Sequence, residues 1–408
     1  MPNCRFCGAL LRLTFADLGK TPLANSYVRK EDLNHVEPFY PLHARVCEVC
    51  FLVQVESVVP AEEIFGHYAY FSSYSKSWLE HAADYCRTVQ KKFALGKESF
   101  VIEIASNDGY LLKNFIASRI PCLGVEPAAN VAEVARRNNV PTETLFFGEK
   151  TAGEIATKYK KADLIIANNV LAHVPDLNDF VKGFKILLKP GGTITVEVPH
   201  LLKLIEGAQF DTIYHEHYSY FSLLALEKIF AAHGLQIYDT DELSTHGGSL
   251  RIYAAHDNEG RKISAQLKKI QADEKAANLD NSTGYSGFDA KVKNICTEFL
   301  SFLKKAKAEG KTVVGFGAAA KGNTLLNVSG VKNDLIKFVC DNNPHKQGLY
   351  LPGSHIPILS PQEIFAKKPN YILILPWNIA AEISAEIRGT KSWDGEFATA
   401  IPHLKTWQ

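Results

Sequence analysis

The sequence predicts an α/β protein of several domains, in which a small cysteine-ligated domain precedes two Rossmann-like units. Three observations carry that expectation. Two CxxC pairs stand near the N-terminus, strands alternate with helices between 100 and 200, and a second strand, glycine turn and helix open at Lys311. A chain of 408 residues also exceeds what one core organises, since single cores stop growing at roughly 250–300 residues.

Composition narrows the function. Hydrophobic residues make up 46% of the chain and charged residues 22%, the balance of an ordinary globular protein. A net charge of +1 argues against a nucleic acid polymer or an anionic membrane as partner. No apolar run approaches the ~18 residues of a membrane span. The N-terminal segment MPNCRFCGALLRL lacks the apolar core and cleavage site of an export signal, so a cytoplasmic location is expected.

Cys4-Arg5-Phe6-Cys7 and Cys47-Glu48-Val49-Cys50 each make a tight turn whose two thiolates converge. Two such turns complete a tetrahedral zinc site, and four thiolates leave no open position, so the metal is structural. Redox or unpaired structural cysteines are the competing reading. Residues 65–75 (FGHYAYFSSYS) carry three phenols, of which Tyr68 could line a polar pocket, and Ser77 opens a helix reaching about Phe93.

Phe100–Ala105 reads as a strand running through Ser106-Asn107-Asp108-Gly109 into a helix. A strand entering a small-residue turn brings backbone close to a nucleotide-like ligand. The next strand ends on Glu126, where an acid can hold ribose hydroxyls. Another βα unit starts near Thr144, and further strands run over Ala162–Ala167 and Gly192–Val198. Ser222 is a suitable N-cap and Gly234 a suitable stop for a helix over Leu223–His233. A strand follows at Leu250–Ala255, then helices over Ile263–Leu279 and Phe288–Glu309. From Lys311, Gly315-Phe-Gly317-Ala-Ala-Ala320-Lys321 matches G-x-G-x-x-A, and Asp341 ends the next strand. Read alone, that pattern predicts NAD.

Ahead of the Leu223 helix lies Tyr214-His215-Glu216-His217-Tyr218-Ser219-Tyr220-Phe221-Ser222. Its density of imidazoles, phenols and one carboxylate marks a chemical centre. In an extended chain His215 and His217 share a face, and the residues alone do not choose between them. A metal-binding H-x-H pair is a weaker reading, because no third ligand motif accompanies it.

The ordered set FSSYSKSWLEHA (71–82), EIASNDGYLL (103–112), NNVLAHVPD (168–176), YHEHYSYFS (214–222), THGGSLR (245–251), GFGAAAKGNT (315–324) and CDNNPHKQGLYLPG (340–353), with the paired CxxC motifs, resembles the nucleotide-sugar C-methyltransferases of deoxysugar biosynthesis. The resemblance implies a zinc-binding domain (1–75), a class I S-adenosyl-L-methionine methyltransferase domain (76–256) and a C-terminal Rossmann-like sugar-nucleotide domain (257–408). It implies that Glu103, Ala105, Asn107, Asp108, Gly109, Glu126 and Asn168 hold the cofactor, with Ala105 standing where such motifs usually have glycine. Tyr68, Asn169, Arg251 and Lys321 would contact a TDP-4-keto-hexose, Lys321 at the diphosphate. His217 would be the base that generates an enolate, with Tyr214 and His173 as hydrogen-bond donors to the ketone or enolate oxygen and Glu216 positioning substrate or orienting another ring, and the methyl would go to C3. No protein partner is expected. The competing functions are an NAD(P)-dependent nucleotide-sugar dehydrogenase or epimerase built on Gly315–Ala320, and a non-enzymatic zinc-ribbon binding protein.

Overall fold

The computed structural model describes residues 1–60, 73, 76–390 and 392–408. Tyr68 lies outside the described residues. The N-terminal part builds an antiparallel sheet of β1 (Leu13–Thr21), β2 (Tyr40–Val46) and β3 (Val53–Val55). No strands are predicted in this segment from the sequence. The chain then crosses to α1 (Lys76–Lys92).

The central sheet follows. β4 (Val101–Ile104), α2 (Leu112–Ala117), β5 (Cys122–Val125), α3 (Ala129–Arg137), β6 (Thr142–Glu143), α4 (Glu149–Lys158), β7 (Ala162–Asn168), α5 (Leu177–Leu187) and β8 (Leu188–Pro199) alternate strand and helix. After α6 (Leu201–Glu206) the chain leaves this sheet, and β9 (Ser219–Tyr220) pairs antiparallel with β3. The aromatic motif is thereby stitched into the sheet of the cysteine domain. α7 (Leu223–Ala232) starts where the Ser222 hydroxyl accepts the Ala225 N–H at 3.1 Å, and ends before Gly234 at φ +68°. It buries Leu226, Ile229 and Phe230.

β10 (Leu235–Leu243), unanticipated in the sequence, and β11 (Ser249–His256) complete the central sheet in the order β10-β11-β8-β7-β4-β5-β6. β11 is antiparallel to both neighbours, while β4 to β8 pair in parallel. Parallel strands end on the same edge, so the loops after β4, β5 and β7 share one crevice.

α8 (Ala265–Ala276) and α9 (Phe288–Ala308) lead into the last sheet. There β12 (Val313–Phe316), α10 (Ala320–Val328), β13 (Val339–Cys340), β14 (Ile358–Leu359), α11 (Gln362–Lys367), β15 (Tyr371–Ile374), α12 (Ala380–Gly389), β16 (Glu396–Thr399) and β17 (Lys405–Trp407) give the order β14-β13-β12-β15-β16-β17. One apolar core joins this region to the N-terminal sheet: Phe15 stacks on Phe288 at 4.3 Å, and Tyr285 meets both Phe15 and Phe51. Such shared burial fixes the cleft between the sheets, because dense packing transmits little slack. No helix among the described residues is long and apolar enough to cross a membrane.

Candidate active site

The motif is a loop closed into a turn, so the extended geometry that would put His215 and His217 on one face does not apply. The His217 N–H donates to the Tyr214 carbonyl at 2.9 Å, and this sends three successive side chains to three different places. His215 donates from Nε2 to the Pro41 carbonyl at 3.2 Å, with its ring edge-on to Tyr40. Glu216 accepts from Asn25 Nδ2 at 2.7 Å, and burial pushes its carboxyl up to about 7. His217 alone turns toward Tyr214 and His173, its ring centroid 4.1 Å and 4.8 Å from theirs. Outer hydrogen bonds hold the turn: the Tyr218 N–H donates to the Ala172 carbonyl at 2.7 Å, and the Val55 N–H to the Tyr218 carbonyl at 3.0 Å.

The hydrogen bonds settle both tautomers. His217 Nδ1 lies 2.9 Å from the Thr212 carbonyl, which can only accept, so the ring proton sits on Nδ1. Nε2 therefore keeps its lone pair and accepts the Tyr214 hydroxyl at 2.9 Å. His173 is protonated on Nδ1 for the same reason, donating to the Glu216 carbonyl at 2.7 Å. Burial holds both rings neutral, His173 at about 4 and His217 well below the ordinary imidazole range, with the nearby His173 adding to the shift.

The opposite wall comes from the C-terminal sheet. Lys321, in the first turn of α10, places Nζ 2.7 Å from Asn378 Oδ1 and 4.6 Å over the Trp377 ring. The Trp377 indole N–H donates to Asp211 Oδ2 at 2.8 Å. Asp211 is fully buried, and burial raises it to about 6 against the pull of Lys321. Thr324 donates to the Ile213 carbonyl at 3.2 Å, so α10 sits directly on the turn that orients His217. His246 also faces the cleft, in a left-handed conformation (φ +55°) beside Trp78 at 5.3 Å. The residue stays exposed to solvent, while the protein crowded around its ring, with Lys321 nearby, lowers it to about 4. Asp211, His246 and Trp377 escaped sequence reasoning because nothing in their local sequence marks them. Only the THGG spacing around His246 hinted at a special backbone.

Around the β4 turn, acids collect. Glu103 is buried and raised well above the carboxylate range by desolvation and by Glu126 and Asp108. Glu126 accepts the Asn107 N–H at 3.0 Å and the Ala128 N–H at 2.9 Å. Asp108 accepts the Ser73 N–H at 3.2 Å. Ala105, Asn107 and Gly109 all take positive φ, +56°, +50° and +80°. Glu103 Oε2, Asp108 Oδ1 and Asn168 Oδ1 are buried acceptors with no partner among the described residues. S-adenosylmethionine fits such a cradle: its ammonium and hydroxyls are donors, and its sulfonium charge suits an acidic surround. Asn169, at φ +54°, leaves both amide atoms buried and without a partner among the described residues. Arg251 instead reaches inward, 2.7 Å from Glu197 Oε2, which also holds His81 at 3.1 Å. It braces the cleft wall.

The four sulfurs of Cys4, Cys7, Cys47 and Cys50 lie within 4.8 Å of one another, and three of these residues are buried. That donor set fits a structural zinc. Arg5, inside the first CxxC, donates to the Pro175 carbonyl at 2.9 Å and lies 5.3 Å over the Tyr218 ring. The metal knuckle thereby abuts the motif.

The second glycine turn is engaged by the protein itself. Asp341 accepts the Ala318 and Asn343 N–H groups, each at 2.8 Å. The Tyr27 hydroxyl and Lys346 both donate to the Ala318 carbonyl, at 2.6 Å and 2.8 Å. Gly317, at φ +89°, admits no side chain, since a Cβ would stand 2.5 Å from Pro376. The acid and turn that an NAD site needs are committed to packing.

Comparison with known proteins agrees with this geometry. Residues 4–65 match a zinc binding domain family, 78–240 a methyltransferase domain, and 244–402 the C-methyltransferase C-terminal domain. C-methyltransferase NovU of Streptomyces niveus is 35% identical over 400 residues, covering 98% of this chain and 95% of its own. Among solved structures, an S-adenosylmethionine-dependent methyltransferase of Clostridium acetobutylicum is 13% identical, with TM-score 0.36 over 44% of this chain and 92% of its own. PH0226 of Pyrococcus horikoshii is likewise 13% identical, with TM-score 0.38 over 48% and 97%. With its donor cradle, thiolate cluster and full-length match in one chain, the protein belongs to the C-methyltransferase family and is an S-adenosylmethionine-dependent enzyme.

Proposed function

We propose that the enzyme methylates C3 of a TDP-linked 4-keto-hexose, with His217 as the base. The unit 76–256 would supply the donor site, 1–75 a zinc-braced wall, and 257–408 the far wall of the cleft. The observation that carries the reading is the His217 tautomer, which presents an Nε2 lone pair on a neutral ring inside the cleft. Carbon methylation needs a carbon nucleophile, and the proton next to a ketone is the one whose removal gives it. The C–H pair becomes the enolate, its proton passes to Nε2 once the Tyr214 hydroxyl leaves that nitrogen or by way of that hydroxyl, and the enolate carbon takes the methyl. S-adenosylmethionine supplies that methyl as an electrophile. A neutral imidazole suits the base role, and Asn169 with its unpartnered amide would hold a sugar hydroxyl.

The Tyr214 hydroxyl on Nε2 favours one variant, in which the phenol takes the proton and hands it to His217. Deuterium exchange at the sugar carbon in heavy water tests both. His217→Ala should lower exchange about 10²–10⁴-fold, the usual worth of a general base, with cofactor binding intact by calorimetry. Undiminished exchange removes His217 from the role. Tyr214→Phe separates the variants: exchange survives if His217 acts directly and is lost if the phenol relays.

A further inference from the structure

Resting on that reading, we infer that Lys321 stabilises the enolate oxygen as the C–H bond breaks, rather than gripping the diphosphate. A negative oxygen needs hydrogen-bond donors aimed at it, and among the described residues around His217 most are already committed. The single ring protons of His217 and His173 point at the Thr212 and Glu216 carbonyls. The Tyr214 hydroxyl donates to His217. Asp211 and Glu216 are acids. Lys321 brings three N–H donors, of which Asn378 takes one at 2.7 Å.

Its surroundings hold the cation in place without neutralising it. The Trp377 face lies under Nζ at 4.6 Å, a contact that attracts an ammonium without a formal charge. Asp211, an acid of the same wall, has its Oδ2 tied to the Trp377 indole. His217 feels Lys321 as a charge that opposes its protonation, which places both groups in one field. Thr324 fixes α10 to the Ile213 carbonyl, one residue from Thr212, so the lysine and the base share a frame. His246 could add a neutral hydrogen bond, but a charge-assisted one is about twice as strong.

The diphosphate is the competing ligand for this lysine. Within the turn the Ala318 N–H is held by Asp341, and Tyr27 and Lys346 close over the Ala318 carbonyl, whereas the N–H groups in the first turn of α10 stay open to an anion.

The experiment pairs Lys321→Met and Lys321→Gln with wild type. It measures deuterium exchange and methyl transfer on saturating TDP-4-keto-hexose, and binding of TDP alone. The expected result is a loss of about 10²–10³-fold in exchange and transfer, the usual cost of one oxyanion donor, with TDP affinity within about twofold. TDP affinity falling tenfold while saturated exchange holds would assign Lys321 to the diphosphate and overturn the inference. Unchanged values throughout would overturn it too. Lys321→Gln keeps the chain length and polarity should the Met variant fail to fold, and unimpaired exchange in it has the same consequence. If wild type itself neither exchanges nor transfers on any TDP-4-keto-hexose, the 4-keto-sugar reading is what fails. Exchange retained by wild type and variants alike condemns only the lysine assignment.

Discussion

The two glycine turns of this chain, 103–109 and 315–321, follow one plan and meet different surroundings. Each leaves a parallel strand, takes positive φ at a glycine, and is held by the acid that ends the neighbouring strand: Glu126 on the Asn107 N–H, Asp341 on the Ala318 N–H. Around the first turn, buried oxygens of Glu103, Asp108 and Asn168 lack partners among the described residues. Around the second, Tyr27, Lys346 and Pro376 fill the approach. Unpaired buried acceptors cost about 1–3 kcal/mol each, so the first turn is built to be completed by a ligand and the second to be completed by the fold. A glycine signature reports that backbone comes close to something. It does not say what.

The sharpest way to break this comparison is to remove one acid from each turn. Glu126→Gln should weaken S-adenosylmethionine about 10–100-fold, since hydrogen bonds to charged groups are worth ~1.5–3 kcal/mol. Asp341→Asn should leave that affinity within about twofold, and wild type should show no NAD(H) binding by calorimetric titration. Tight NAD(H) binding, or equal damage from both variants, would erase the distinction.

A smaller effect concerns pH. His173 is lowered to about 4 and His217 falls well below its ordinary value, whereas the unfolded chain titrates near about 6.5. The unfolded state thus binds more protons between these values, and stability rises with pH there. The contribution is complete above about 6.5 and is lost as pH falls toward about 4. Glu216 and Asp211, raised by burial, act oppositely, giving stability at low pH that fades as pH climbs through about 7 and about 6. Melting curves of His173→Gln against wild type isolate the imidazole share, expected at about 3 kcal/mol over this window. Parallel curves would show that His173 does not titrate as described.

The smallest effect sharpens the first turn itself. Ala105 holds φ +56°, a conformation that costs an L residue roughly 1–2 kcal/mol. Ala105→Gly should relieve it but loosen the unfolded chain, for a net gain of about 0.5 kcal/mol in chemical denaturation. A loss instead would mean that the alanine methyl packs usefully there.

The local signals were legible because neighbours in sequence set them. The CxxC spacing brought four thiols together, Ser222 capped α7, Gly234 ended it, and the order of strands and helices from Val101 to Pro199 followed hydrophobic patterning. β10 and the N-terminal strands were missed, and β9 could not be foreseen, because its pairing with β3 joins segments far apart in the chain. Choosing among His215, Glu216 and His217 also lay beyond the sequence. The turn closed at Tyr214 aims them at Pro41, Asn25 and Thr212, and only packing decides which carbonyl each ring reaches.

By itself, then, the sequence determined a thiolate site, a strand–turn–helix crevice and a motif dense in proton-transfer groups. Those properties depend on residue type and short spacing. The tertiary structure decided which nitrogen keeps a lone pair, that Arg251 is spent on Glu197, and that Lys321, Trp377 and Asp211 form the wall facing His217. Those are contacts across sheets, fixed by the shared apolar core that no single segment encodes.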